Sequence, residues 1–196
     1  MLDHERRLWR SGYERVAGLD EAGRGCLAGP VVAAAVILPP GQEIPLIQDS
    51  KSLSEPQRLE AREHIETKAL ASAIGICSPQ EIDALNILWA ALKAMRRAAS
   101  DCQPSPDYLL VDGNRWLEDS TWPYETVVQG DATSQSIAAA SILAKTERDA
   151  MMRRLHDEHP EYGWDTNVGY PTQAHYAALD EHGVTPFHRQ SFKLHK

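Results

Sequence analysis

Residues 16–38 carry the chemistry most plainly. Asp20 and Glu21 end a short apolar run and are followed at once by Gly23-Arg24-Gly25, with a second apolar run from Pro30. Adjacent carboxylates suit a hard divalent cation. Glycines let backbone approach a ligand that a side chain would hold off. The arginine adds a donor fork that matches phosphate. Asp112 and Asp131 are two further acids near strand ends. Two-metal phosphoryl-transfer sites need converging carboxylates, so that ions about 3.5–4 Å apart flank the scissile phosphate. Asp20, Glu21, Asp112 and Asp131 could form such a set. Asp112-Gly113 and Gly130-Asp131 also read as turns, and Asp131 as a helix cap. Asp20-Glu21 is harder to explain that way, because adjacent carboxylates at a strand end repel unless a cation joins them. Metal, phosphate and close backbone approach in one loop point to nucleic-acid chemistry.

The elements that must position these residues alternate in type. Residues 16–20 and 30–38, rich in Val, Ile and Ala, predict two strands joined by the glycine loop, with Pro39-Pro40-Gly41 ending the second. Ser54-Glu-Pro56-Gln57 and Ser78-Pro79-Gln80-Glu81 are capping boxes. The first opens a helix to about Lys68. The second opens a helix carrying Ile82, Leu85, Leu88, Trp89, Leu92 and Met95 at helical spacing, with Trp89 and Met95 expected in the core. Strands are predicted over 70–77, 108–111 and 125–128, and helices from Ser136 to about His156 and from Thr172 to about Glu181. Interleaved strands and helices indicate an α/β sheet covered by helices, and the opening hairpin makes the sheet mixed. Sites in such sheets gather near strand ends, so three separate segments can deliver acids to one place.

The 196 residues suit a single domain spanning 1–196 with a real core. A 42% apolar and 24% charged composition is that of a soluble globular protein. No apolar stretch reaches the ~20 residues of a membrane span. The charged N-terminus lacks a secretory core, and Cys26, Cys77 and Cys102 show no metal spacing, so a cytoplasmic protein is expected. The net charge of −8 argues against nucleic acid at first sight, until metal-binding carboxylates are discounted. Basic residues also cluster, at Lys145, Arg148, Arg153 and Arg154 and again at Arg189, Lys193 and Lys196, as a local patch or as solvated helix faces. The spacing Gly23-x-Gly25-x-x-x-Gly29 is not a dinucleotide fingerprint, since the acids precede the glycines and a strand follows. There is no Walker A sequence and no serine nucleophile elbow.

An ordered series of segments is more specific: Gly18-Leu-Asp20-Glu21-Ala-Gly23-Arg24-Gly25; Asp49-Ser-Lys51-Ser-Leu53; Val111-Asp112-Gly113; Gly130-Asp131; Ile137 to Lys145 with Arg148-Asp149; Gly169-Tyr170-Pro-Thr172-Gln-Ala-His175; and Gly183 to Phe192. Over some 170 residues the chain resembles the ribonuclease HII family. The short stretch before Asp20 fits that family better than the type-3 relatives, which carry an extra N-terminal domain. The resemblance implies a ribonuclease H-like mixed β-sheet flanked by helices, with a C-terminal helical segment. It implies a metal-dependent endoribonuclease that cuts the RNA strand of RNA–DNA hybrids, and the 5′ side of ribonucleotides embedded in duplex DNA. The products carry 3′-hydroxyl and 5′-phosphate ends. Asp20, Glu21, Asp112 and Asp131 match the acidic catalytic set, which binds Mn2+ or Mg2+ as a two-metal site. Gly23, Arg24 and Gly25 match the loop whose backbone recognises a ribose 2′-hydroxyl, and Tyr170 the ring that packs on the neighbouring deoxyribose. Lys51 supports phosphate binding or the acidic centre. Lys145 and Asp149 also fit a plain i,i+4 surface pair. Ser134-Gln135-Ser136 stands where many members carry a lysine. The expected partners are nucleic acids alone, with no membrane, and the chain acts as a monomer. The alternatives are a nuclease of the same fold acting on DNA, which would cut all-DNA duplex, and a binding module that never turns over.

Overall fold

The Val-, Ile- and Ala-rich runs form a five-stranded mixed sheet in a computed structural model that describes residues 1–47 and 53–195. The elements are α1 (Asp3–Arg10), β1 (Val16–Ala22), β2 (Val31–Ile37), α2 (Glu55–Lys68), β3 (Ala71–Cys77), α3 (Pro79–Leu85), α4 (Ile87–Asp101), β4 (Tyr108–Asp112), β5 (Tyr124–Val127), α5 (Gly130–Thr133), α6 (Gln135–Glu158), α7 (Trp164–Asn167) and α8 (Gln173–His182). The strand order is β3-β2-β1-β4-β5. β1–β2 and β2–β3 are antiparallel, while β4 runs parallel to both β1 and β5. β2 is buried along its whole length, as a central strand covered on both faces must be.

The two faces have different covers. α4 packs its alanines on Ala17, Leu19, Ala33 and Ala35, and α6 and α2 cover Ala34, Val36 and their neighbours on the other side. Small residues allow close approach. A Cβ at Gly75 would fall 1.9 Å from the Ala94 carbonyl oxygen of α4, and one at Gly18 would fall 2.1 Å from the Ser136 carbonyl carbon of α6. The helices therefore press backbone against the sheet at these two points. Beyond the sheet, Leu27, Ala28, Met152, Tyr162, Trp164 and Leu179 form a separate core under the C-terminal helical segment.

Three features depart from the sequence reading. The helix expected through 79–95 is two helices, broken at Asn86, whose φ is 67° and whose Oδ1 accepts from the Leu88 and Trp89 amides. Asn tolerates the left-handed region and caps helices well, so one residue closes α3 and opens α4. Trp89 is not core: the break turns it outward and leaves it 47% exposed, while Met95 is buried as expected. The charged N-terminus forms α1, an element its charges concealed. Eight residues make a marginal helix alone. Burial of Leu2 and Leu8, each worth about 1.5–3 kcal/mol, holds it in place.

Candidate active site

β1 and β4 bring the first three acids together. Their parallel register pairs Leu19 with Val111, so Asp20 and Asp112 come next on neighbouring strands, about 4.8 Å apart. Alternation along a strand then sorts the side chains. Ala17 and Leu19 face α4, so Gly18 and Asp20 face α6, and the Ser141 hydroxyl of α6 hydrogen-bonds Asp20. Glu21 turns back toward Leu88 and Leu92 of α4. The adjacent carboxylates thus straddle the end of the strand. Asp131 arrives on α5, whose first residue is tied in by a 2.8 Å bond from the Gly130 amide to Asp112 Oδ1.

Asp20, Glu21, Asp112 and Asp131 line one cavity of about 350 Å³ together with Gly23, Arg24, Gly25 and Tyr170. Asp20 and Asp131 are each 6% exposed. Burial, and then repulsion from Glu21 and Asp112, raises the Asp20 carboxyl well above the usual carboxylate range. Burial also raises Glu21, against the pull of Arg24. Crowded, desolvated acids of this kind are stabilised by a cation, and an all-oxygen donor set fits Mg2+ or Mn2+. Among the described residues no three His, Cys, Asp or Glu side chains are yet gathered closely enough to hold an ion. Glu21 Oε1 is instead held by Arg24 Nη1 at 3.0 Å, Asp112 by the Gly130 amide, and Asp20 Oδ1 by the Glu21 amide at 2.7 Å.

The glycine loop is shaped from behind. Gly23 has φ +94°, and a Cβ there would lie 1.9 Å from Arg148 Nε, so no other residue fits. Gly25 differs: its Cβ would meet only the Tyr170 ring at 3.9 Å, which leaves open space before the tyrosine. Tyr170 stands at the rim, 44% exposed, on a turn docked to the loop by the 2.7 Å bond from the Leu27 amide to the Gly169 carbonyl. Its own carbonyl is held by His175 Nδ1 at 3.0 Å. Trp164 Nε1 donates to His175 Nε2 at 3.2 Å, which makes Nδ1 the protonated nitrogen.

The expected basic patch does not form as read. Arg148 and Arg189 are buried and bind backbone carbonyls around the loop, because a guanidinium can satisfy several carbonyls at once. Lys145 does make the i,i+4 pair with Asp149, at 2.7 Å, while also lining the cavity. Lys51, with the rest of residues 48–52, lies outside the described residues. Arg58 and Ser141 line the cavity and were not singled out from sequence. Ser141 had a signal, as a hydroxyl inside the apolar run 137–144. Arg58 had none.

The sequence profile of the ribonuclease HII family matches residues 17–195. Ribonuclease HII of Salinibacter ruber is 73% identical over 197 residues, covering 99% of this chain and 98% of its own. The ribonuclease H2 structure from Pyrococcus horikoshii OT3 superposes with a TM-score of 0.77 at 23% identity, covering 92% of this chain and 94% of that one. Bst-RNase HIII, solved in complex with Mn2+, gives a TM-score of 0.69 at 16% identity, covering 92% and 67%. The fold is the ribonuclease H-like mixed sheet flanked by helices. With acids from three segments on one cavity and a family match across nearly its whole length, the chain belongs to the ribonuclease HII family, the type-2 ribonuclease H endonucleases.

Proposed function

We propose that this cavity cuts the RNA strand of RNA–DNA hybrids, and duplex DNA on the 5′ side of an embedded ribonucleotide, leaving 3′-hydroxyl and 5′-phosphate ends. The supporting observation is the shared lining: four carboxylates, the 23–25 loop and Tyr170 surround one space. Asp20, Glu21, Asp112 and Asp131 are the residues to hold a pair of Mg2+ or Mn2+ ions, with Asp20 between them. Such a pair, when bound, supplies activation of a water nucleophile and neutralisation of charge at the departing 3′-oxygen.

The chain's own groups do the recognition. The 2′-hydroxyl distinguishes RNA from DNA at one nucleotide, and the loop backbone at Gly23 to Gly25 is free of side chains that would bar it. Arg24, half-exposed and paired with Glu21, is placed to exchange that partner for a phosphate once Glu21 binds metal. The Tyr170 ring, facing the open space at Gly25, packs on the neighbouring deoxyribose and so senses an RNA–DNA junction. Lys51 is assigned to phosphate or to the acidic centre by resemblance alone. Three free, buried cysteines suit a reducing cytoplasm, and the chain is proposed to act as a monomer.

The test offers duplex DNA with one ribonucleotide, continuous hybrid and all-DNA duplex, each with Mg2+, Mn2+ or chelator. The first two should be cut only with metal. Tyr170→Ala should lose more activity on the lone ribonucleotide than on the hybrid. An equal loss on both removes the junction-sensing role, and cutting of all-DNA duplex overturns the substrate assignment.

A further inference from the structure

The C-terminal segment has no part in the reaction described above, yet it places a cation directly behind the glycine loop. Arg189 is 0% exposed and makes no ion pair with a described carboxylate. Its guanidinium is committed to backbone: Nη2 donates to the Gly23 carbonyl at 2.7 Å and to that of Pro30 at 3.2 Å. Nη1 donates to the Arg24 carbonyl at 3.0 Å, and Nε to the Gly29 carbonyl at 3.0 Å. Burial pulls its pKa down to about 10, which still leaves it a cation at neutral pH.

The segment that carries Arg189 is itself stapled. The Arg189 amide donates to the Leu27 carbonyl at 2.8 Å. Asp83 of α3 accepts from the Gln190 and Ser191 amides, each at 2.9 Å, and the guanidinium carbon lies 5.2 Å from the centre of the Phe192 ring. A fork fixed this firmly dictates what its acceptors do.

Peptide groups are planar and trans, so a carbonyl and the amide of the next residue point opposite ways. With the Gly23 and Arg24 carbonyls drawn back onto Arg189, the amides of Arg24 and Gly25 are turned forward. Residues 23 to 25 line the cavity, and neither of those two amides has a partner among the described residues. Arg148 does not share this task, since it binds the carbonyls of Ala28, Pro30 and Val168. We propose that Arg189 is a positioning residue for sugar discrimination: by holding the Gly23 and Arg24 carbonyls, it presents the Arg24 and Gly25 amides to the ribose 2′-oxygen.

This rests on the proposed ribose-reading role of the loop, and one experiment separates the two. The full chain is titrated, in chelator so that nothing is cut, with duplex DNA carrying one ribonucleotide and with the same duplex fully deoxy. The parent should prefer the ribonucleotide. Equal affinity in the parent sinks the loop's role itself. Arg189→Gln should lose about tenfold of that preference, the worth of one or two oriented hydrogen bonds, with all-DNA affinity unchanged. Arg189→Lys, a charge without the fork, should fall between. A folded Arg189→Gln that keeps the parent's preference overturns the proposal, because a merely structural arginine would not set that ratio. Should the variants fail to fold, the parent's amide nitrogen-15 shifts decide: those of Arg24 and Gly25 should move with the ribonucleotide duplex and not with the deoxy one. Equal movement with both refutes the assignment.

Discussion

Gly18→Ala isolates the contact on which the acidic cluster depends. An added Cβ would sit 2.1 Å from the Ser136 carbonyl carbon, 2.3 Å from the Ile137 nitrogen and 2.5 Å from the Ser136 oxygen. All three are backbone atoms, so no rotamer change relieves them. Moving from 2.1 Å to ordinary contact at 3.4 Å requires the start of α6 to retreat by about 1.3 Å. Alanine is better than glycine in a strand by about 0.5–1 kcal/mol. Overpacking costs about 1–3 kcal/mol, so the net effect should be a loss of stability. The effect on rate should be larger. Gly18 lies two residues before Asp20 on β1, and Ser136 follows the turn that carries Asp131. A misplacement of about 1 Å in a catalytic arrangement costs about 100-fold. Urea unfolding and single-turnover cleavage of RNA–DNA hybrid with Mn2+ measure both. The variant should fold, lose up to about 3 kcal/mol, and cut about 100-fold more slowly with little change in hybrid affinity. Parent-like stability and rate would show that α6 does not need this approach to the sheet.

Two further outcomes concern buried groups away from the cavity. Glu5 Oε1 accepts from the Ser134 hydroxyl at 2.6 Å, the Ser136 amide at 2.9 Å and the Ser136 hydroxyl at 2.7 Å, tying α1 to the start of α6. Glu5→Ala strands those donors and should cost about 3 kcal/mol in urea unfolding, whereas Glu5→Gln keeps the acceptor and should cost much less; equal costs would refute the bond network. Burial, and then His175, pull His188 down to about 4. The unfolded chain therefore takes up the proton more readily, and stability is full above the ordinary value near 6.5 and falls as pH drops toward 4. Between pH 7 and pH 5 the parent should lose about 2 kcal/mol more than His188→Asn does, and parallel pH profiles would contradict this.

What could be read from sequence was local. Asp20-Glu21, the glycines around Arg24 and the two strand-end aspartates announce themselves by type and spacing, and the β1–β4 register then sets Asp20 beside Asp112. Strand and helix alternation gave the mixed sheet for the same reason, since hydrophobic period is a property of neighbouring residues. The failures are long-range. Arg148 and Arg189 look like surface charge until backbone carbonyls from residues 23–30 are folded around them. Glu5 looks like one more acid in a charged N-terminus until Ser134 and Ser136 close on it. Asn86 broke a helix whose apolar spacing ran on unbroken, because a single positive φ outweighs periodicity. His175 and His188, 3.1 Å apart, meet only when α8 and the C-terminal segment pack together.

The most direct test is Mn2+ binding by the full chain and by Asp20→Asn and Asp112→Asn, followed by calorimetry and paired with hybrid binding and cleavage. Loss of an outer contact to a metal ligand already costs about 10–100-fold in metal affinity, so loss of a ligand should cost at least tenfold. Each variant should bind Mn2+ that much more weakly and stop cutting, while holding the hybrid nearly as well as the parent does. Parent-like Mn2+ affinity in both variants, with cleavage near the parent rate at saturating metal, would mean that these acids do not hold the ions.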